Sequence, residues 1–188
     1  MDTQALLDRI REAAPEARAE AGAATDQPTL YVTREALEDV CLSLRDAPGL
    51  RFDFLVDITA VDWFPRDPRF EIVYHLASLG SRGAGAPASN VAQRLRLKVR
   101  VPGADPRAPT VAAVWPAAAW AEREVFDLFG IVFDGHGDLR RILMPDDWDG
   151  HPLRKDYPVQ IRKAAKTEQP LQLSPEQFAA NVRGEREG

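Results

Sequence analysis

A strict alternation of apolar and charged side chains between Gln93 and Val101 constrains the fold more than any other feature of the sequence. Apolar residues occupy every second position of this run, and a cation precedes each of them: Leu95, Leu97, Val99 and Val101. Successive side chains of a β-strand point to opposite faces of a sheet. The run therefore predicts a strand with one buried face and one basic face.

Two earlier stretches share this period of two residues. The first runs from Leu50 to Trp63, and its predicted apolar face comprises Phe52, Phe54, Val56, Ile58 and Ala60. The second covers residues 69–79, with Phe70, Ile72, Tyr74 and Leu76 on one side. Three neighbouring strands with a single apolar face, together with helices to cover it, predict an α+β fold. We expect a two-layer sandwich in which a mainly antiparallel sheet carries helices on one face.

Helices are predicted where apolar residues recur every three or four positions. One begins at Thr3, a second covers about residues 34–46 after a capping Thr33, and a third follows Pro116. Cys41, the sole cysteine, falls on the apolar stripe of the second helix, which predicts a buried and inert thiol. With one cysteine, the chain alone can form neither a disulfide nor an iron–sulfur cluster.

Size and charge narrow the functional classes. The 188 residues suit one domain, which we place at 1–145, followed by an extended arm and partly disordered tail at 146–188. The net charge of −5 argues against nucleic acid as a partner, because phosphate binding uses uncompensated cations. We expect the cations of the strand at 93–101 to pair with carboxylates of the acidic stretch 51–62. The alternative is that they form a surface for an acidic partner or a phosphate track.

No stretch of the sequence is apolar enough to predict a membrane span. The longest uncharged run, Ala108 to Ala121, is shorter than the roughly 20 residues that a bilayer requires. The N-terminus lacks the basic and apolar regions of a signal peptide. The chain also lacks a glycine-rich phosphate loop. We therefore expect a protein of the cytosolic side that binds neither NADH nor flavin.

The stretch from Trp120 to Pro158 concentrates charge, aromatic residues, glycine and proline, and we expect it to decide what the protein does. Helical geometry directs an apolar band that extends as far as Val132 toward the core, and it groups Trp120 with the charged side chains of Arg123, Glu124 and Asp127 on the opposite side. A tryptophan among charges is typical of an interface anchor. Glu122 lies at the edge of the band and requires a cation or backbone donors. The candidate cations are Arg140, Arg141, Arg154 and Lys155.

Catalysis is the competing hypothesis for the same stretch. Its carboxylates and histidines are of the types that serve as acid–base groups or metal ligands: Glu122, Glu124, Asp127, His136 and His151. Glu122 and Glu124 point about 200° apart on one helix, however, and no metal-binding spacing is present. The run from Asp146 to Gly150 lacks the register of a calcium loop. We therefore predict no catalytic, cofactor-binding or metal-binding residue.

Eight short segments of the sequence together resemble the signature of one family. The segments that carry the resemblance are 57–63 (DITAVDW), 109–111 (PTV), 115–116 (WP), 122–124 (ERE), 127–131 (DLFGI), 135–136 (GH), 138–143 (DLRRIL) and 150–158 (GHPLRKDYP). They are similar to the 30-kilodalton subunit, also designated C, of proton-pumping NADH–quinone oxidoreductase, which is respiratory complex I. The resemblance covers about residues 30–160. Gly137 departs from the family, which usually has proline at this position.

The resemblance implies a cofactor-free structural subunit of the peripheral arm of complex I, on the cytoplasmic face of the bacterial inner membrane. FMN, iron–sulfur clusters and quinone then belong to partner subunits, which pass electrons from NADH to quinone and couple this to proton translocation. The chief partner is the subunit that resembles a hydrogenase large subunit and forms much of the quinone site. The expected interface residues are Trp120, Glu122, Arg123, Glu124, Asp127, His136, Arg140, His151, Arg154, Lys155, Asp156 and Tyr157. On this hypothesis, charge reversal at Arg154 or Glu122 reduces assembly more than it alters the isolated fold.

Two alternatives stay open. One is a homologous subunit of a related membrane-bound assembly, such as a hydrogenase or a dehydrogenase with another electron donor. The other is a stand-alone metal-dependent hydrolase that uses Glu122, Glu124, His136 and His151.

Overall fold

The computed structural model describes residues 3–13, 19–23, 26–48, 50–79 and 93–158. The elements in chain order are α1 (Thr3–Ala13), β1 (Glu20–Ala21), β2 (Thr29–Val32), α2 (Leu37–Asp46), β3 (Phe54–Asp62), β4 (Phe70–Ser78), β5 (Gln93–Val101), β6 (Arg107–Pro109), α3 (Ala118–Phe129) and β7 (Val132–Asp134). A short 3₁₀ turn at Arg34–Ala36 leads into α2. None of the helices in these ranges has the length and apolar character that a bilayer crossing requires.

Five strands form the main sheet in the order β1-β2-β5-β4-β3. The three long strands pair antiparallel, so that Ile72 of β4 lies between Ala60 of β3 and Val99 of β5. The predicted, mainly antiparallel sheet is thereby confirmed. β2 adds a parallel pair with β5, and β6 pairs parallel with β7 in a separate small sheet. The sequence did not indicate the β2–β5 pair, because its two strands are far apart along the chain.

One face of the sheet and the apolar stripes of the helices form a single core. The strands contribute their predicted alternate residues, including Phe70, Ile72, Tyr74 and Leu76 of β4 and Leu95, Leu97, Val99 and Val101 of β5. The helices contribute Leu6, Leu7 and Ile10 from α1 and Val40, Cys41 and Leu44 from α2. Burying each of these large side chains stabilises the fold by about 1.5–3 kcal/mol before entropy is considered. The predicted α+β sandwich is confirmed.

β3 departs from its predicted face pattern at a β-bulge between Leu55 and Asp57. A bulge inserts one extra residue, so the alternation of faces shifts by one position. Leu55 is consequently buried, whereas Phe54 and Val56 are 49% and 54% exposed. The prediction that these two side chains face the core is wrong. Beyond the bulge the predicted face is correct, as the buried Ile58 shows.

The cations of β5 do pair with carboxylates, but not with those of the stretch 51–62. Because β4 lies between β3 and β5, Glu71 of β4 binds Lys98 at 2.7 Å and Arg100 at 3.7 Å. Asp26, which precedes β2, binds Arg96 at 2.6 Å. The prediction that these cations pair with carboxylates is correct, but the predicted location of the carboxylates is wrong. The order of strands in a sheet cannot be read from the alternation within each strand.

Two predictions at the helix ends need correction. Thr33 stands before the 3₁₀ turn in an extended conformation, and its side chain makes no capping hydrogen bond. Helix α3 ends at Phe129, so Val132, which was predicted to extend its apolar band, lies in β7 instead.

The described residues up to Tyr157 belong to one compact unit, and beyond it only Pro158 is described. The predicted tail therefore falls outside the described residues, and the division of the chain at residue 145 stays a prediction.

Candidate functional site

Helix α3 carries two fully buried carboxylates, Glu122 and Asp127. The sequence predicted Asp127 on the exposed, charged side of the helix, and this prediction is wrong. The segment after β7 folds back over that side, and its backbone donates hydrogen bonds to the Asp127 carboxylate. Helical periodicity separates core from non-core faces, but it cannot show that another part of the chain covers the second face.

Asp127 holds the turn that follows Arg140. Its Oδ2 atom accepts three successive backbone N–H groups, those of Ile142, Leu143 and Met144, at 2.7–3.0 Å. Its Oδ1 atom accepts the guanidinium of Arg141 at 2.8 Å. Burial raises the pKa of the Asp127 carboxyl, but these donors outweigh burial and hold the pKa below its ordinary value. The charged carboxylate thus fixes the conformation of residues 141–144.

Glu122 is bound from the opposite side of the helix. The backbone N–H of Val111 donates to its Oε1 atom at 2.8 Å, and the Thr110 hydroxyl donates to its Oε2 atom. His136 Nε2 lies 4.0 Å from Oε2 and donates to the carbonyl of Ala119 at 2.9 Å. Of the two kinds of partner expected for Glu122, the structure provides a backbone donor, Val111. None of the four candidate cations bonds to this carboxylate: Arg140, Arg141, Arg154 and Lys155.

The two buried carboxylates differ in the balance between burial and hydrogen bonding. For Glu122, burial outweighs the two donors and raises the pKa above its ordinary value. For Asp127, four donors outweigh burial and lower the pKa below its ordinary value. One helix therefore holds a carboxylate that favours its charged form and another for which the charged form is disfavoured.

Residues 151–154 cap the C-terminus of α3. The last carbonyl groups of a helix have no partners within the helix itself. Here the arm provides a donor to each of four consecutive carbonyls: His151 Nδ1 to Asp127 (2.9 Å), the Leu153 N–H to Leu128 (3.0 Å), Arg154 Nε to Phe129 (2.5 Å) and Arg154 Nη2 to Gly130 (3.4 Å). The guanidinium also complements the negative end of the helix dipole. The motif HPLR thus completes a helix that ends more than 20 residues before it.

Gly130 permits the arm to approach the helix end. It adopts φ 70°, in the left-handed region, at the position directly after α3. A Cβ atom there would lie 2.5 Å from the ring of His151 and 2.6 Å from the guanidinium of Arg154. Any other residue would therefore strain the backbone and displace the cap.

A second contact joins the arm to the β3–β4 hairpin. Arg69 bridges two carboxylates, with Nη2 2.7 Å from Asp62 and 2.6 Å from Asp156. The backbone N–H of Lys155 donates to the same Asp62 carboxylate at 2.8 Å. Burial raises the pKa of Asp62, but Arg69 and the N–H groups of Lys155 and Phe64 outweigh it and lower the pKa to about 2. The arm is thus attached both to α3 and to the sheet.

The predicted interface residues fall into three groups by exposure. Glu122 and Asp127 are buried, and the partly buried members are Arg123, His136, His151, Arg154 and Tyr157. The exposed members are Trp120, Glu124, Arg140, Lys155 and Asp156. Because Glu122 and Arg154 bond inside the chain, charge reversal there would disturb the fold and cannot isolate an interface. The interface role of all twelve stays a prediction.

Several residues that build the site were not predicted as part of it: Asp62, Arg69, Thr110, Ile142 and Leu143. The bond from Arg69 to Asp156 spans 87 positions, so no local pattern indicates it. Asp62 gave a weak signal, because a carboxylate that falls on the apolar face of a strand requires a donor from elsewhere.

The described residues do not assemble a metal site. No group of three histidine, cysteine, aspartate or glutamate side chains in these ranges is arranged to hold an ion. Of the hydrolase set, only Glu122 and His136 approach each other, while Glu124 is exposed and His151 caps the helix. Cys41 is fully buried, and burial raises the pKa of its thiol, as the inert assignment predicted.

Comparison with known proteins yields a family match over most of the chain. Residues 30–163 match the family described as "Respiratory-chain NADH dehydrogenase, 30 Kd subunit". The NADH-quinone oxidoreductase subunit designated C in Roseiflexus sp. (strain RS-1) is 44% identical over 167 residues, which cover 89% of this chain and 90% of that protein. The equivalent subunit of Geobacter sulfurreducens is 48% identical over 133 residues, or 70% of this chain and 75% of that protein.

Two solved structures share the fold. A trypsin-resistant fragment (1–134) of Nqo5 superposes with a TM-score of 0.53 at 36% identity, and covers 74% of this chain and all of the fragment. A chain of a membrane-bound sulfane sulfur reductase, an archaeal respiratory membrane complex, superposes with a TM-score of 0.66 at 26% identity. That match covers 92% of this chain and 93% of the archaeal chain.

Proposed function

Because the chain belongs to the family of the 30-kDa subunit of respiratory-chain NADH dehydrogenase, we propose that it is a structural docking subunit of an NADH–quinone oxidoreductase. In this role the chain itself performs no electron transfer. It supports an assembly in which partner subunits carry electrons from NADH through FMN and iron–sulfur clusters to quinone, coupled to proton translocation.

One observation carries the structural role: the polar groups of the signature segments bond to each other. Asp127 holds the turn 141–144, the arm at 151–154 caps α3, and Asp62 binds the arm through Arg69. Catalytic sites need polar groups directed toward a substrate, whereas these groups are directed inward. These bonds hold three separate segments together in one ordered surface, as docking requires.

The proposal also covers the cofactor content, the chief partner and the location of the chain. The chain holds no cofactor of its own, which is consistent with a single, fully buried cysteine that cannot ligate a cluster. Its chief partner is the subunit that resembles a hydrogenase large subunit and forms much of the quinone site. The chain lies in the peripheral arm, on the cytoplasmic face of the bacterial inner membrane. The family resemblance supports these three statements.

A second candidate is a subunit of a related membrane-bound complex with another electron donor or acceptor. The match to a chain of the sulfane sulfur reductase complex, over 92% of this chain, favours keeping it. The higher identity to NADH-quinone oxidoreductase subunits, 44% for the Roseiflexus protein, favours the NADH–quinone assignment.

The test is extraction of the affinity-tagged chain from native membranes in mild detergent, followed by identification of the co-purified subunits. We expect NADH-oxidising, iron–sulfur and quinone-site subunits in stoichiometric amounts, with NADH–quinone reductase activity in the eluate. Recovery of a different electron-donor module would favour the second candidate. Recovery of the chain alone, with stoichiometric bound zinc or manganese, would refute the docking role and restore the hydrolase alternative.

A further inference from the structure

We propose that Trp120, Ile142 and Leu143 form an apolar anchor, by which this chain binds a neighbouring protein subunit through a pocket with a basic rim. The inference rests on the proposed docking function and specifies where the contact lies and what its partner presents. It is independent of which electron donor the assembly uses.

Trp120 is the first part of the anchor. Its side chain is 64% exposed, more than any other large hydrophobic residue in the described ranges. The guanidinium of Arg123 stacks on the indole, 5.1 Å from the ring centroid. Arg123 is itself fixed, because it donates to the carbonyls of Arg140 and Arg141 at 3.1 and 3.0 Å. The ring is therefore supported on one face and open to a partner on the other.

The turn 141–144 is the second part. Its three backbone N–H groups converge on Asp127, which leaves the side chains of Ile142 and Leu143 37% and 54% exposed. Apolar side chains on a mobile loop would lose entropy on binding, whereas this turn is already ordered by a buried charge. Asp127, a buried residue of the family signature, thus holds the apolar side chains of Ile142 and Leu143 at the surface.

The two parts form one surface. Arg123 contacts the Trp120 ring and the backbone of Arg141, and Ile142 follows directly. The donors beneath this surface are already bonded within the chain, so apolar contact is what remains for a partner. Tryptophan and arginine are the residue types that dominate binding energy at the centre of protein interfaces.

The surrounding charge indicates the rim of the partner. Among the exposed charged residues at 138–156, Asp138 pairs with Arg140 at 3.0 Å and Asp156 pairs with Arg69 at 2.6 Å. The remaining ones are acidic apart from Lys155: Asp146, Asp147 and Asp149. Asp146 and Asp147 follow Leu143 within four residues, which places them beside the anchor. A negative border favours a partner with lysine or arginine around its pocket and disfavours an anionic lipid surface.

Exposed apolar residues elsewhere provide matched controls. Leu79 is 57% exposed, close to the 54% of Leu143, and Phe54 is a half-exposed aromatic residue at 49%. These two residues lie where β4 ends and β3 begins. No bonded network links them to α3 in the described residues. Substitution there changes the same kind of surface without touching the anchor.

The experiment uses the tagged full-length chain within the complete membrane complex. Trp120 and Leu143 are replaced separately by the photoreactive p-benzoylphenylalanine, with Phe54 and Leu79 as control positions. In parallel, the recovery of partner subunits with Trp120→Ala, Leu143→Ala and Asp147→Lys is compared with recovery by Leu79→Ala. Immunoblotting of each variant in the cell extract shows whether the chain accumulates normally.

We expect photoproducts from positions 120 and 143 with one and the same partner subunit, and none with that subunit from positions 54 and 79. Trp120→Ala should lower partner recovery about tenfold or more, since interface tryptophans of this kind contribute at least one factor of ten in affinity. Leu143→Ala and Asp147→Lys should lower it less, and Leu79→Ala should leave it unchanged.

Three results would overturn the anchor: no photoproduct from positions 120 and 143, photoproducts with lipid or with a second copy of this chain, or equal effects of Leu143→Ala and Leu79→Ala. In each of these cases the parent chain still brings down its respiratory partners, and the proposed function stands. Failure of the proposed function is distinct, because the unmodified tagged chain would then recover no respiratory subunits at all.

Discussion

Replacing each buried carboxylate of α3 by its amide tests the ionisation that we assign to the two groups. Asp127→Asn keeps the shape of the side chain but removes a charge that four donors bind. Glu122→Gln removes a charge that burial already disfavours. We expect a large loss in the free energy of unfolding for Asp127→Asn and a small change for Glu122→Gln.

The magnitude follows from the hydrogen bonds of each group. A bond to a charged acceptor contributes about 1.5–3 kcal/mol and a bond to a neutral one about 0.5–1.5 kcal/mol, so each bond to Asp127 weakens by roughly 1 kcal/mol. The new amide would also face the guanidinium of Arg141, donor against donor. Because such contributions are not additive, we expect a total loss of about 3 kcal/mol. The amide of Glu122→Gln still accepts from Val111 and can donate to Thr110, which limits the change to about 1 kcal/mol.

Urea denaturation of the purified chain at pH 7, followed by the fluorescence of its four tryptophans, measures both changes. With a denaturant dependence of about 2 kcal/mol per molar, Asp127→Asn should lower the midpoint by roughly 1.5 M. A raised pKa means that the stabilisation from Glu122 is complete below its unfolded value and is lost as the pH rises through the folded value. The free energy of unfolding of the Glu122→Gln variant should therefore increase relative to that of the parent protein as pH rises. Equal losses in the two variants would refute the assignment.

Two further predictions concern the contacts of the arm. Asp62 has a pKa lowered from 3.8 to about 2, so the stability it contributes, about 2 kcal/mol, is present above pH 4 and lost as the pH falls toward 2. Acid titration of unfolding should show this slope in the parent and not in Asp62→Asn, and identical profiles would contradict it. Gly130→Ala should lower stability by about 2 kcal/mol or more, because the new Cβ meets His151 and the backbone has φ 70°. Gly137→Ala, with nothing within 4 Å of its Cβ position, should leave the melting temperature unchanged, and an equal fall in both variants would exclude the steric explanation.

Local pattern alone determined the class of the fold. The alternation at 93–101 and 69–79 corresponds to β5 and β4 within one residue at each end, and helical spacing identified the stripes of α1 and α2. These features depend on which side chains a strand or helix directs to one face, and neighbouring residues suffice to specify that. The family signature was also legible without a structure, because it consists of short runs of adjacent residues.

Contacts between distant segments could not be predicted in the same way. The bulge in β3 reversed Phe54 and Val56, and the position of β4 gave the β5 cations a different carboxylate partner. Both outcomes depend on how strands pair, which alternation does not record.

Trp120 to Pro158 shows most clearly what only the tertiary structure decided. The sequence indicated a docking element there but assigned its charges to the outside. The structure buries Asp127 under the chain that follows it, joins Arg69 to Asp156 across 87 positions and caps α3 with the arm. The physical reason is that the arm supplies hydrogen-bond donors to α3 from outside the helix, so no helical periodicity can reveal them. Sequence identified this stretch and many of its residues. Folding determined that Asp127, His151 and Arg154 bond inside the chain, while Trp120, Ile142 and Leu143 are exposed.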